Sequence, residues 1–192
     1  RVQAEETETF SQELRLSSSA DQRLRWSIGA YWYDSEFKQT VDDRIAPLTS
    51  FDFLLDPAQS EQRPNSYPEV RNTENTAIFG SVEFDFTDSL TGTIEVRQAT
   101  DKIEAEYLNY AFTTGDKFEE EFDSFTPRFT LTWVPSDSTT IYGNVAKGTK
   151  PGGFNDPGTD QVSYDEEEAW NFEVGVKKRI FGGRGTWNSA LF

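Results

Sequence analysis

The chain has 192 residues, a formal net charge of −16, 35% hydrophobic residues and 15% aromatic ones. So many rings exclude a disordered chain, and the acidic balance excludes a nucleic-acid binder, whose phosphate contacts need a basic surface. The longest apolar run is Ala30–Tyr33, far short of the ~20 residues of a spanning helix.

Cysteine, methionine and histidine are all absent. This removes disulfides, thiol nucleophiles, zinc–thiolate sites and imidazole-based triads. The length accommodates one domain or two, and no linker or domain boundary is visible. The chain lacks an initiator methionine and a basic-then-apolar leader, and it stops inside the alternating run Ala190-Leu191-Phe192. It is read as an internal piece of a longer protein.

Period-two alternation dominates, the mark of strands with two unlike faces. Eight strands are predicted, near 8–17, 22–40, 76–87, 90–107, 124–135, 139–149, 169–181 and 186–192. In the second, Leu24, Trp26, Ile28, Ala30 and Trp32 share one face, against Arg23, Arg25, Ser27, Gly29, Tyr31 and Tyr33. The third sets Ile78, Val82, Phe84 and Phe86 against Phe79, Ser81, Glu83 and Asp85. The fifth sets Phe129, Leu131 and Trp133 against Arg128, Thr130 and Thr132, and the seventh sets Trp170, Phe172 and Val174 against Asn171 and Glu173.

Connections alternate in length. Short turns fall at Ser18–Asp21, Thr87–Ser89, Pro135–Ser138 and Gly182–Gly185, and long connections near 41–75, 108–123 and 150–168. One loop of that first length is anomalous inside a compact soluble domain. In an outer-membrane barrel, short turns on one side and long loops on the other are the rule. Trp26 and Trp32 are six residues apart on one face, about 20 Å along a strand, close to the spacing of aromatic girdles. Phe86, Trp133, Trp170 and Trp187 also sit near strand ends.

The opposite face carries Glu13, Arg15, Arg23, Arg25, Glu83, Asp85, Glu95, Arg97, Arg128, Glu173, Lys177 and Arg179. These need water or partners, and they crowd the interior of an eight-stranded barrel, which is just wide enough for side chains. Alternation alone leaves open a soluble β-sandwich or small barrel with its apolar face inward. Lys147 and Lys178 fall on the apolar parity, each near a strand end from which it can snorkel.

Several segments resemble TonB-dependent outer-membrane receptors. They are Thr9–Ser18 followed by Leu24–Tyr33, Thr76–Asp88, Phe125-Thr126-Pro127-Arg128, Ile141–Asn155 and Glu167–Lys178. The resemblance implies an all-β antiparallel meander, one arc of a transmembrane barrel of about 22 strands closed around an N-terminal plug. It places residues 1–192 in the barrel domain, with plug and C-terminal strands outside this chain. It also implies residence in the bacterial outer membrane and high-affinity uptake of a small-molecule nutrient such as a ferric siderophore. Partners would be outer-membrane lipid and the TonB complex, the latter through the plug; no cofactor and no metal site are implied.

The expected lipid-facing residues are Leu24, Trp26, Ile28, Trp32, Phe84, Phe129, Leu131, Trp133, Phe172 and Val174. The ligand-side candidates at rim and lumen are Tyr31, Tyr33, Tyr142, Lys150, Phe154 and Asn155, with Tyr67 in the longest loop, because flat rings pack on such ligands. Lys150-Pro151-Gly152-Gly153-Phe154-Asn155 is also what a turn needs for its backbone alone, which is the favoured reading. Glu119-Glu120-Glu121 and Asp165–Glu168 invite a calcium reading, but a solvated charge run is preferred. Phe51, Phe53, Leu54 and Leu55 form an apolar loop patch. No catalytic constellation stands out, and the chain is read as a non-enzyme. The alternatives are a self-contained eight-stranded outer-membrane barrel with a structural or adhesive role, and a soluble β-barrel for a small apolar ligand.

Overall fold

The computed structural model describes residues 2–42, 69–107, 115–155 and 159–192. The strands are β1 (Val2–Ser17), β2 (Leu24–Asp42), β3 (Glu69–Thr87), β4 (Leu90–Tyr107), β5 (Lys117–Ser136), β6 (Thr139–Lys150), β7 (Gly153–Phe154), β8 (Ser163–Tyr164), β9 (Glu167–Ile180) and β10 (Gly185–Leu191). Eight of them form one sheet in the order β1-β2-β3-β4-β5-β6-β9-β10, and β7 pairs only with β8. Every pairing is antiparallel. The expected meander is present. The small β7–β8 hairpin inside the third long connection was not expected, because two-residue strands carry no period.

Alternation separates the faces as the sequence implied. Trp26, Ile28, Phe129 and Val174 are 41%, 57%, 48% and 53% exposed, so they do not converge on a dry centre. Their neighbours Arg25, Ser27, Gly29 and Tyr31 are more covered. The inner face packs closely at its glycines. A Cβ on Gly29 would lie 2.4 Å from the Phe79 ring and 2.8 Å from the Leu14 carbonyl. Only glycine lets that ring lie flat on the neighbouring strand. The same is true of Gly175 under the Tyr142 ring.

Three strands start earlier than the alternation suggested: β1 at Val2, β3 at Glu69 and β5 at Lys117. The cause is solvent. Glu6 and Glu8 on β1, Asn72 and Glu74 on β3, and Glu119 and Glu121 on β5 continue the outward parity. With polar residues outside, no apolar alternation marks these stretches. Glu119-Glu120-Glu121 therefore lies on a strand and not in a connection, with Glu120 on the inner parity.

The outer face thus has a boundary. On β2 the apolar set ends at Trp32 and is followed outward by Asp34, Glu36 and Lys38. Trp32 sits at this edge, with its indole N–H donating to Glu74 at 3.1 Å and its ring 5.4 Å from that of Phe10. An amphipathic ring with one wet end belongs at such a border. Toward the short turns, Phe84, Phe86, Trp133 and Trp187 form the other aromatic edge, all of them exposed.

Above that border the inner face of β4 and β5 becomes apolar. On β4 the outward Ile94 and Val96 give way to inward Ala99, Ile103, Ala105 and Tyr107. On β5 the outward Phe125 and Phe129 give way to inward Phe118 and Phe122. The amphipathic phase of one continuous strand inverts.

The β5–β6 ladder stops at Arg128↔Ala146. Pro127 has no N–H to continue it. Above this point β5 pairs only with β4, and β6 only with β9. The β7–β8 hairpin folds onto the part of β5 left without β6. Phe154 joins Ile103, Ala105, Tyr107 and Phe122 in a buried cluster with Phe118 against it. Residues 43–68, with Phe51, Phe53, Leu54, Leu55 and Tyr67, lie outside the described residues.

Candidate functional site: the inner wall and its lip

The inner wall is a series of polar stations, each spanning neighbouring strands in register. Nearest the short turns, Arg25 of β2 meets two carboxylates of β3. Its guanidinium donates to Glu83 at 2.5 Å and to both oxygens of Asp85 at 2.5 and 2.7 Å. Thr91 of β4 completes the Asp85 shell at 2.7 Å. Arg23, beside the turn, donates to the carbonyls of Asp85 and Phe86. A fork facing two carboxylates and capped by a hydroxyl ties three strands together.

One station higher, Arg15 of β1 lies 5.1 Å over the Phe79 ring and 3.0 Å from Glu13. Above it, Arg97 of β4 reaches Asn75 of β3 and the Tyr31 ring of β2. Farther round the wall, the Tyr142 hydroxyl of β6 donates to Glu173 of β9, while Lys177 lies 5.3 Å over the Tyr142 ring. In the β1–β2 turn, outside the strands, Ser19 donates to Asp21. That bond, and then the backbone N–H of Asp21 itself, hold the Asp21 carboxyl below its ordinary pKa.

The six ligand-side candidates do not form one cluster. Tyr31 and Tyr33 share the inner face of β2, with Tyr33 opposite Asn75. Tyr142 lies on β6, engaged with Glu173. Lys150 ends β6 at the rim, exposed, 3.9 Å from Glu167. Phe154 is 8% exposed and stacked on Phe118 at 5.5 Å, so its ring faces are covered by protein. Asn155 closes the β7–β8 hairpin, donating through its side chain to Gln161 O at 2.9 Å and through its backbone to Val162 O at 2.7 Å. Gly152 is required there, since a Cβ would fall 2.3 Å from the Tyr164 carbonyl oxygen, while one on Gly153 would meet the end of the Tyr164 side chain at 2.6 Å.

Sequence reasoning missed Asn75, Asp101 and the aromatic lip of Tyr107, Phe118 and Phe122. A signal for the lip was there. Phe122 and Phe125 are three apart, which shifts the alternation by one face. Among the described residues no group of acidic side chains is arranged to hold a metal ion. Both acidic runs supply strand residues and ion pairs, such as Lys102 with Glu119 at 2.9 Å.

An open-faced antiparallel wall, apolar outside and ionic within, with short turns at one end and long loops at the other, defines a class. It is an arc of a transmembrane β-barrel. Residues 2–192 match the family described as TonB dependent receptor-like, beta-barrel, and the chain belongs to that family. Members of the family are transport receptors of the bacterial outer membrane.

Solved structures of the same fold include the ferric yersiniabactin uptake receptor FyuA from Yersinia pestis, at 19% identity and a TM-score of 0.72, with 98% of this chain and 28% of that one covered. The siderophore receptor PiuA from Acinetobacter baumannii aligns at 17% identity and a TM-score of 0.70, over 98% of this chain and 31% of that one. The alcaligin outer-membrane receptor FauA from Bordetella pertussis aligns at 18% identity and a TM-score of 0.60, over 98% and 28% respectively. The chain thus spans less than a third of the length of these structures.

Proposed function

We propose that this chain is part of the barrel wall of a TonB-dependent receptor that captures a scarce nutrient, a ferric siderophore, for import across the outer membrane. The observation that supports this best is the sidedness of the wall, which runs with the family match over residues 2–192. Leu24, Trp26, Ile28, Trp32, Phe84, Phe129, Leu131, Trp133, Phe172 and Val174 would contact lipid, since all are apolar, outward and exposed. Within the complete, closed barrel this ladder would satisfy backbone groups where no water can. The ionic inner wall would face a plug and a wet vestibule, and the TonB complex would act through that plug. The siderophore reading draws on the receptors of known cargo whose barrels this wall resembles.

The test is uptake of radioactive iron by iron-starved cells of the source bacterium, with and without the gene for the complete protein. Deletion should abolish TonB-dependent uptake of one ferric siderophore and spare the rest. Unchanged uptake of every ferric siderophore offered would refute the cargo. Recovery of the protein from a soluble fraction would refute the class.

A further inference from the structure

Arg15, Arg25, Arg71 and Arg128 each have a carboxylate within ion-pair reach, at 3.0, 2.5, 2.5 and 3.6 Å. Three inner-wall guanidiniums, those of Arg23, Arg97 and Arg179, have no carboxylate in ion-pair reach among the described residues; Arg23 is held by main-chain carbonyls beside a short turn, Arg179 lies at the short-turn end of β9, and Arg97 stands mid-wall. Arg97 donates through Nη2 to Asn75 Oδ1 at 2.8 Å and lies 5.3 Å over the Tyr31 ring. Asn75 is held in turn, its amide nitrogen donating to Asp101 at 2.6 Å. Asp101 therefore sets which way the Asn75 amide points and presents its oxygen to Arg97. The row between them is Tyr31↔Ala77↔Ala99. Both alanines are buried although their side chains end at Cβ, so the long Arg97 side chain lies along a floor of methyl groups.

We propose that Arg97, backed by Tyr31 and positioned by Asn75, is an anion-binding station for a carboxylate or phenolate oxygen of the transported solute. This rests on the receptor reading above. A guanidinium has five N–H donors in a fixed fork. Tyr31 takes its face and Asn75 takes one donor, which leaves an edge for a bidentate anion. In a chain of net charge −16, an arginine that stands away from the short turns without a carboxylate partner is suited to an anionic solute. Arg97 is rooted between Val96 and Gln98, where the outer face turns from apolar to polar, and its guanidinium reaches toward the loop side, to the rows of Ala99 and Asp101. The same anion chemistry has a second source, a carboxylate from the receptor's own plug, and the two are separable by experiment.

The test uses the full-length receptor in lipid nanodiscs. First, labelling by phenylglyoxal without solute should modify Arg97, read by mass spectrometry. Complete protection there means that the receptor's own polypeptide covers the edge, and overturns the proposal. Second, binding of a panel of ferric chelates is measured, the anionic members being ferric citrate and a ferric tris-catecholate and the neutral member a ferric tris-hydroxamate. Arg97→Gln should weaken the anionic chelate bound by about 10- to 100-fold more than any neutral one. Arg97→Lys should recover part of that loss, restoring charge without the fork. Equal weakening of both classes, or binding of the neutral chelate alone, overturns the station and leaves the receptor standing. A wild-type receptor that binds no member of the panel overturns both.

Discussion

The strands β4 and β5 have two stretches built on opposite plans. Below Phe125, the outer face is apolar and the inner face carries ions, as it does in the neighbouring Arg25–Glu83–Asp85 station of β2 and β3. Above it, the outer face carries Lys102, Glu104 and Glu119 in mutual ion pairs, and the inner face carries Ile103, Tyr107, Phe118 and Phe122. The ladder runs unbroken through both on β4–β5. What changes is the solvent on each side. In the proposed receptor the lower stretch would meet hydrocarbon outside and a polar lumen within. The upper stretch meets water outside and, within, a small core of the kind found in soluble proteins, closed by the β7–β8 hairpin. One backbone serves both because hydrogen bonding along a ladder is indifferent to the side chains it presents.

Charge is the most severe probe of this contrast. Ile28→Arg, in the middle of the apolar stretch of β2, should destabilise the full-length receptor in a bilayer by about 2–4 kcal/mol. Glu8→Arg, outward on β1 above the border, should stay within about 0.5 kcal/mol. Urea titration of both variants checks the pair, and equal costs would break the comparison.

Volume on the inner face comes next. Gly29→Val pushes into the Phe79 ring and the Leu14 carbonyl and should cost about 1–3 kcal/mol. Gly148→Val lies above the β5–β6 break, with nothing within 4 Å of its Cβ, and should cost under about 0.5 kcal/mol. Adding Phe79→Ala to Gly29→Val should restore only part of the loss, because the backbone oxygen cannot move aside. Full recovery in thermal melts would show that the ring alone sets the spacing.

The smallest effect lies at the short turns. Asp21 is held below its ordinary value by Ser19. A depressed folded-state value contributes stability above the unfolded value of 3.8 and loses it as pH falls through the folded one. Ser19→Ala should move the Asp21 carboxyl titration upward, read by carbon-13 NMR, and the small loss of stability that goes with it should be present at neutral pH and vanish as pH falls through the folded-state value. A titration that stays put would assign the shift to the backbone alone.

Much of this was legible in the chain. Eight strands, their order and the sidedness of the lower stretch follow from Leu24–Trp32, Ile78–Phe86, Phe125–Trp133 and Trp170–Val174, because lipid outside and polar groups inside impose strict alternation. The upper stretch was read on β2 and β4 but missed on β1, β3 and β5, because Glu6 and Glu8 or Asn72 and Glu74 put polar residues outward where no apolar period survives. The inversion at Phe122–Phe125 was visible only as a spacing of three. The lip hairpin was not visible at all, since it exists because Pro127 ends one ladder and leaves Phe118 and Phe122 to be covered. Of the ligand-side candidates, Tyr31 belongs to the Arg97 station. Phe154 and Asn155 hold the lip together, as a turn-forming segment would.

The account stands most directly on which side of β2 meets hydrocarbon. This chain contains no cysteine of its own, so single cysteines placed in turn at residues 24–38 of the full-length receptor, in a background without other cysteines, can each carry a nitroxide. Collision with oxygen and with a nickel chelate is then measured in a lipid bilayer. Even-numbered positions through 32 should be open to oxygen and closed to nickel, with the contrast lost from 34 onward, where even positions become open to nickel. Odd-numbered positions facing lipid below 32, or even-numbered ones closed to both reagents, would contradict it.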